Sequence, residues 1–264
     1  MALPPAAVVA SPPPGPGVTG WLLVIVRIIL LLVTLVASLV AHYALAPFTR
    51  HNPVPCTFLR LVTVIVGVRL RKQGRPPTRG ETCILLSNHV SWLDIPALAG
   101  ASHCAFVAHD GLAALGPMRW LCELNDTVFI ARHDRTSVAR QVAKVRAAIT
   151  EAGALTLFPE GTTGDGQTVM PFKSSLLSAL DGNLDAVPIR PVWLDYGRHS
   201  AEIAWLGEES GLSNALRILG RWRRIQLTVH FLDALPPESL GDRKVIARAA
   251  RETILRAMDR CANV

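Results

Sequence analysis

Cys83-Ile84-Leu85-Leu86-Ser87-Asn88-His89-Val90-Ser91-Trp92-Leu93-Asp94 joins an apolar run to a short polar turn. The run Cys83-Ile84-Leu85-Leu86 reads as a strand buried on both faces. Ser91-Trp92-Leu93-Asp94 fits the pattern S-x-x-[DE] that opens a helix, and predicts one over residues 91–99. A buried strand that passes directly into a helix is the repeating unit of an α/β layered domain. The same turn sets His89 five residues before Asp94. An imidazole held by a carboxylate is a general base near neutral pH. Spacing alone leaves two readings open. In one, Ser91 caps the helix, Asp94 reaches back to it, and no chemistry follows. In the other, Asp94 folds back to the imidazole, fixes its tautomer and stabilises the imidazolium.

The rest of the body alternates in the same way. Strands are expected at 105–109, 127–130, 154–158, 186–194 (broken by its prolines) and 225–232. Val68-Arg69-Leu70-Arg71 alternates and begins a first strand, closed by the turn Gly74-Arg75-Pro76-Pro77. Helices are expected at 111–124, 135–151, 174–180 and 242–261. The last of these puts Ile246, Ala250, Ile254, Ala257 and Cys261 on one face. Continuous apolar strands between helices predict an α/β layered fold, with a mostly parallel central sheet flanked by helices.

The N-terminal third differs. Residues 1–17 are rich in Pro, Ala and Gly, carry no charged side chain, and are expected to be disordered. Residues 21–41 contain one charge, Arg27. As a helix they would extend about 31 Å, the thickness of a bilayer's hydrocarbon core, with Arg27 snorkelling to the nearer interface. A cleaved signal lacks its positive leading region here, and a helix buried in the domain is the remaining alternative. Residues 56–68 are a second, shorter apolar stretch. They read either as an interfacial or hairpin helix or as a helix packed on the domain. The expected organisation is a tail at 1–17, membrane-anchor helices at 18–67 and the main domain at 68–264.

Charge supports that division. Half of the chain is hydrophobic and 18% is charged, with a net charge of +7. Residues 1–80 hold eight Lys/Arg and no Asp or Glu, which leaves 19 basic and 20 acidic residues for the body. A basic, apolar flank fits an anionic membrane surface, and the positive-inside rule puts the body on the cytoplasmic side. Nucleic acid is the competing partner. The basic residues interleave with aliphatic side chains rather than with aromatics that stack on bases, so no nucleic-acid partner is expected. Five scattered cysteines without a C-x-x-C pair fit a reduced compartment, and no histidine spacing suggests a metal site.

Three further blocks follow the first in order: Val128-Phe129-Ile130-Ala131-Arg132, Phe158-Pro159-Glu160-Gly161-Thr162-Thr163 and Val187-Pro188-Ile189-Arg190-Pro191-Val192. With Asn88-His89-Val90-Ser91-Trp92-Leu93-Asp94 as N-H-x-x-x-x-D, they resemble the lysophospholipid/glycerolipid acyltransferase family over roughly residues 60–235. The resemblance implies catalytic His89 and Asp94, with His89 as general base and Asp94 as its orienting carboxylate. It implies substrate binding by Arg132, Glu160, Gly161, Thr162 and Lys173. Asn88, Ser91, Phe129, Pro159 and Pro188 would shape the site, with the Pro188 block walling the pocket. The reaction implied is direct transfer of a fatty acyl group from acyl-carrier protein or coenzyme A to the free hydroxyl of a membrane lysolipid. No cofactor, metal or acyl-enzyme is needed. Ser91 is not a nucleophile, because a G-x-S-x-G elbow is absent. A lipid hydrolase would need that elbow, and a non-catalytic scaffold would not need the His–Asp pair.

The chain departs from the family pattern at three places. Asp126 replaces the glycine before Phe129, Ser175 replaces the glycine after Lys173, and Thr163 stands where arginine is usual. The resemblance implies 1-acyl-sn-glycerol-3-phosphate as the commonest acceptor, in phospholipid biosynthesis at the cytoplasmic membrane. Loss of a bidentate phosphate partner at Thr163 favours the alternative, the lyso-ornithine-lipid branch with the same mechanism.

Overall fold

Cys83–Ser87 (β2) forms the centre of a sheet, and all five of its residues are buried. Its side chains alternate between two cores. Cys83 and Leu85 join one, and Ile84 and Leu86 the other, the two-residue period of a strand covered on both faces. Each such fully buried aliphatic side chain contributes about 1.5–3 kcal/mol. The computed structural model describes residues 15–49, 52–109, 116–125, 127–130, 143, 145–150, 153–180, 187–207 and 209–262.

Seven strands pair among the described residues, in the order β1-β7-β6-β2-β5-β3-β4. They are β1 (Val68–Gly74), β2, β3 (Ala105–His109), β4 (Val128–Ile130), β5 (Ala154–Leu157), β6 (Ile189–Asp195) and β7 (Ile225–Phe231). β6, β2, β5, β3 and β4 run parallel. β7 is antiparallel to β6 and carries β1 parallel to itself. The sheet is therefore mostly parallel, with a reversed pair at one edge.

One face is covered by α1 (Val18–Leu45), α2 (Val54–Val66), α3 (Asp94–Ser102) and α5 (Gly211–Leu219). The other is covered by residues 145–150, the 3-10 segment Ser174–Leu180 and α6 (Arg243–Ala262). α4 (Gly116–Glu123) precedes β4. α1 is longer than the apolar run alone implies, and large apolar side chains from Val18 to Leu45 stay exposed along it. It is apolar and long enough to cross a membrane. The open alternatives for 56–68 combine: α2 pairs with α1 as a hairpin arm and also packs on α3.

Several expectations are corrected. Arg27 does not snorkel. It is buried, and Nη1 donates to Leu219 C=O at 2.8 Å and Arg221 C=O at 2.9 Å, which pins α1 to the end of α5. The helix after β2 begins at Asp94, three residues late, because Ser91–Leu93 form a turn. β6 is unbroken by Pro191. Pro191 C=O accepts Leu232 N–H just beyond the end of β7, and the bond the proline nitrogen cannot return to Leu232 C=O is replaced by Arg190 Nε at 3.4 Å, so the loss falls at the margin of that pairing. Cys261 is exposed, whereas Ile246, Ala250, Ile254 and Ala257 are buried as expected. The helix expected at 135–151 is described only at 143 and 145–150, and that at 111–124 only from Gly116. Of the tail, only Gly15–Gly17 are described, with Pro16 lying against Gly220.

Candidate active site

β6, β2 and β5 end side by side, and the segments leaving their C-terminal ends meet. Ligands of open α/β sheets bind at such ends. Asn88 opens the first segment. Its Nδ2 donates to Leu194 C=O at 3.2 Å, and its Oδ1 accepts Leu194 N–H at 2.7 Å. The buried amide thus continues the β2–β6 pairing with a side chain and sets where His89 leaves the sheet.

His89 Nδ1 lies 2.7 Å from Asp94 Oδ2. The same oxygen accepts Val90 N–H at 2.6 Å and Ser91 N–H at 3.0 Å. Asp94 Oδ1 accepts Tyr196 O–H at 2.6 Å. Only half of the capping reading holds: Asp94 reaches back to Ser91 N–H, but Ser91 does not cap the helix, whose N-cap is Leu93 with no side-chain cap bond, and the same carboxylate holds the imidazole. With Asp94 ionised, Nδ1 carries the proton and Nε2 keeps its lone pair. Asp94 is wholly buried, while the His89 side chain keeps 19% of its surface exposed. Its ring stacks on Phe158 with centroids 4.2 Å apart, and Phe158 lies parallel to Phe106 behind it.

The second segment follows β5. Pro159 is buried, and Gly161 turns the chain with φ of 71°, a left-handed conformation that favours glycine. Glu160 is 2% exposed. Its Oε1 accepts His89 N–H at 3.2 Å, and Oε2 has no hydrogen-bond partner among the described residues. Burial pushes the carboxyl up to about 8; the backbone N–H groups of His89 and Met170 oppose the shift, and the charges of Asp94 and Asp165 add to it. Glu160 is thus mostly a neutral acid at pH 7. Gly164 N–H donates to His89 C=O at 2.7 Å, and a Cβ at Gly164 would come 3.1 Å from Glu160 Oε2. Thr162 and Lys173 are exposed, and Lys173 N–H closes the loop on Pro159 C=O at 2.8 Å.

A third segment, residues 196–205, locks the first two together. Thr163 Oγ1 donates to Trp205 C=O, and Trp205 N–H donates to Val90 C=O at 3.0 Å. The hydroxyl at the position where arginine is usual is therefore spent inside the protein.

The structure brings together Asn88, His89, Ser91, Asp94, Pro159 and Glu160, with Gly161 and Thr162 next in the chain. Phe129 stands on β4, two strands beyond β5, with Arg119 5.8 Å from its ring centroid. Arg132 lies outside the described residues. Pro188 sits at the start of β6, where its C=O accepts Ile84 N–H. That is the opposite end of β2 from His89, about 15 Å away at ~3.3 Å per residue. Tyr196 and Trp205 escaped the sequence reading. Neither belongs to a motif, and only folding sets them beside His89. No group of three or more His, Cys, Asp or Glu suited to a metal ion occurs among the described residues.

The acyltransferase family matches residues 68–195, from the first residue of β1 to the last of β6. The lyso-ornithine lipid O-acyltransferase of Pseudomonas aeruginosa is 31% identical over 199 residues, covering 72% of this chain and 72% of the relative. The protein of that name from Rhodobacter capsulatus is 33% identical, covering 74% and 65%. The 1-acyl-sn-glycerol-3-phosphate acyltransferase of Neisseria meningitidis is 25% identical, covering 69% and 71%. Among solved structures, the 1-acyl-sn-glycerophosphate acyltransferase of Thermotoga maritima superposes with a TM-score of 0.63 at 19% identity, covering 92% of this chain and 96% of its own. It has the same fold.

Proposed function

The chain belongs to the acyltransferase family, and we propose that it transfers a fatty acyl group from a thioester to the free hydroxyl of a lysolipid, with His89 as general base. One observation carries this reading: a partly exposed imidazole stands at the strand ends with Nδ1 held 2.7 Å from a buried carboxylate. Nε2 takes the hydroxyl proton as the acceptor oxygen attacks the thioester carbonyl. Asp94 stabilises the imidazolium that results. The tetrahedral intermediate then expels the thiolate, which receives the proton back from Nε2 and leaves as the free thiol of acyl-carrier protein or coenzyme A. The steps use the thioester and protein side chains alone.

Lyso-ornithine lipid is the acceptor favoured by the site. Thr163 offers no guanidinium for a phosphate, and its hydroxyl is committed to Trp205. The relatives of 31% and 33% identity carry that activity in their names. The second reading, 1-acyl-sn-glycerol-3-phosphate, is supported by the Neisseria relative. Either product is a two-chained lipid, which fits an enzyme held at the cytoplasmic membrane by α1 with its site on the cytoplasmic side. The basic residues between 50 and 79, with no acids among them, support that orientation. The test is an assay of the full chain in lipid vesicles with labelled acyl-carrier protein or acyl-coenzyme A. Lyso-ornithine lipid and lysophosphatidate are offered side by side, with His89→Ala as the blank. Acylation of neither lipid by folded protein sinks the proposal, and acylation of lysophosphatidate alone reverses the choice of acceptor.

A further inference from the structure

Tyr196 directly follows β6 and is 1% exposed. Its hydroxyl donates to Asp94 Oδ1 at 2.6 Å. Asp94 is itself fully buried, and its other oxygen already takes His89 Nδ1 and the N–H groups of Val90 and Ser91. Among the described residues, Oδ1 accepts a hydrogen bond from the Tyr196 phenol alone. A carboxylate with one oxygen unpaired in such a site can rotate about its Cβ–Cγ bond and lose its aim at the imidazole. It also shifts its negative charge toward the other oxygen, the one that faces His89.

We infer that Tyr196 is a positioning residue for acyl transfer: its O–H, carried just past the end of the strand next to β2, fixes the rotamer of Asp94 and withdraws charge from it, and so tunes the imidazole as a base. The inference rests on the reading of His89 as the base. Burial, with the Asp94 charge beside it, holds the phenol well above its usual range, so it remains a donor at every working pH. The bond is also the link through which the β6 end reports on the site. Asn88, the residue before His89, is tied to the same strand through Leu194, two residues before Tyr196. The titratable groups around the pair are Asp94 on α3, Glu160 and Asp165 on the segment after β5, and Tyr196 itself. Glu160 titrates on the alkaline side, near 8. The acid limb of the rate profile is therefore the one to read.

The test compares the pH dependence of kcat/KM for wild type, Tyr196→Phe and protein carrying 3-fluorotyrosine at 196. The full chain is used in vesicles with a saturating acyl thioester. Loss of the donor leaves Asp94 with more charge facing His89, so in Tyr196→Phe the acid limb moves to higher pH by about 0.5–1 unit. Fluorination acidifies the phenol and strengthens the donor, so the limb moves the other way. A role in packing alone would lower stability or overall rate without opposite movements of the limb. Acid limbs that coincide in wild type and the fluorinated protein would overturn the inference, and this arm survives even where Tyr196→Phe fails to fold. His89→Ala separates the two levels. If it retains activity, the assignment of His89 itself fails; if it is inactive while the limbs coincide, only the role given to Tyr196 fails.

Discussion

Glutamine in place of Glu160 keeps the side chain's shape and removes its ionisation. In the folded protein the carboxyl titrates near 8, against an ordinary value of 4.5. Between those values the folded chain keeps a proton that the unfolded chain has lost. Stability therefore falls as pH rises from 4.5 to 8, and the penalty is complete above 8. At about 1.4 kcal/mol per pH unit, the gap is worth at most about 5 kcal/mol. Water entry and relaxation bring the expected figure to roughly 2–4 kcal/mol. Glu160→Gln lacks this penalty. It carries instead the cost of a buried amide N–H where Oε2 has no partner, and that cost does not vary with pH. The measurement is thermal unfolding of both proteins, solubilised in detergent, at pH 6 and pH 9. Between pH 6 and pH 9 only the part above pH 6 is sampled, about two pH units and at most about 3 kcal/mol, which the same relaxation brings to roughly 1–2 kcal/mol. At about 2–4 °C per kcal/mol for a domain of this size, the wild type should lose roughly 2–8 °C more than the variant over that interval. Parallel losses in the two proteins would refute the argument that Glu160 is buried as a neutral acid.

The remaining predictions concern neighbouring contacts. Asn88→Ala removes both bonds to Leu194 and should cost about 2–3 kcal/mol in denaturant unfolding, with a fall in kcat because His89 follows directly. Gly164→Ala sets a methyl 3.1 Å from Glu160 Oε2 and should reduce kcat several-fold, whereas the same change at exposed Gly80 would test only its φ of 82°. Arg27→Met takes the guanidinium donor from the buried Leu219 and the part-buried Arg221 carbonyls, and hydrogen exchange at the end of α5 should rise on loosening of α1. Thiol labelling of native protein should modify Cys261 first. Cys83 and Cys104 are buried, with thiols pushed up to about 11 and about 12, and should react only on unfolding.

Much of the layered fold was legible because its signals are local. The run at Cys83–Ser87, the alternation at Val68 and the periodicity of α6 each follow from which neighbours along the chain are apolar. The His89–Asp94 pair was legible for the same reason: five residues and one turn suffice to close it. The reversed β1–β7 edge was not, because strand direction depends on the path of a distant connection. Nor was the fate of Arg27. A charge in an apolar run is equally consistent with snorkelling and with burial, and only carbonyls nearly two hundred residues away decide between them.

By itself, the sequence determined the α/β class, the apolar N-terminal helix, the spacing of the His89–Asp94 pair, and the departure from arginine at Thr163. Tertiary structure alone decided what surrounds them. It brought Tyr196 to the second oxygen of Asp94, left Glu160 Oε2 unpaired, tied Thr163 to Trp205, and put Pro188 at the far end of the sheet. Local order sets dihedrals and faces over a few residues. The second partner of a buried carboxylate, and the burial that raises an acid to about 8, arise only when strands distant in sequence are laid edge to edge and water is excluded between them.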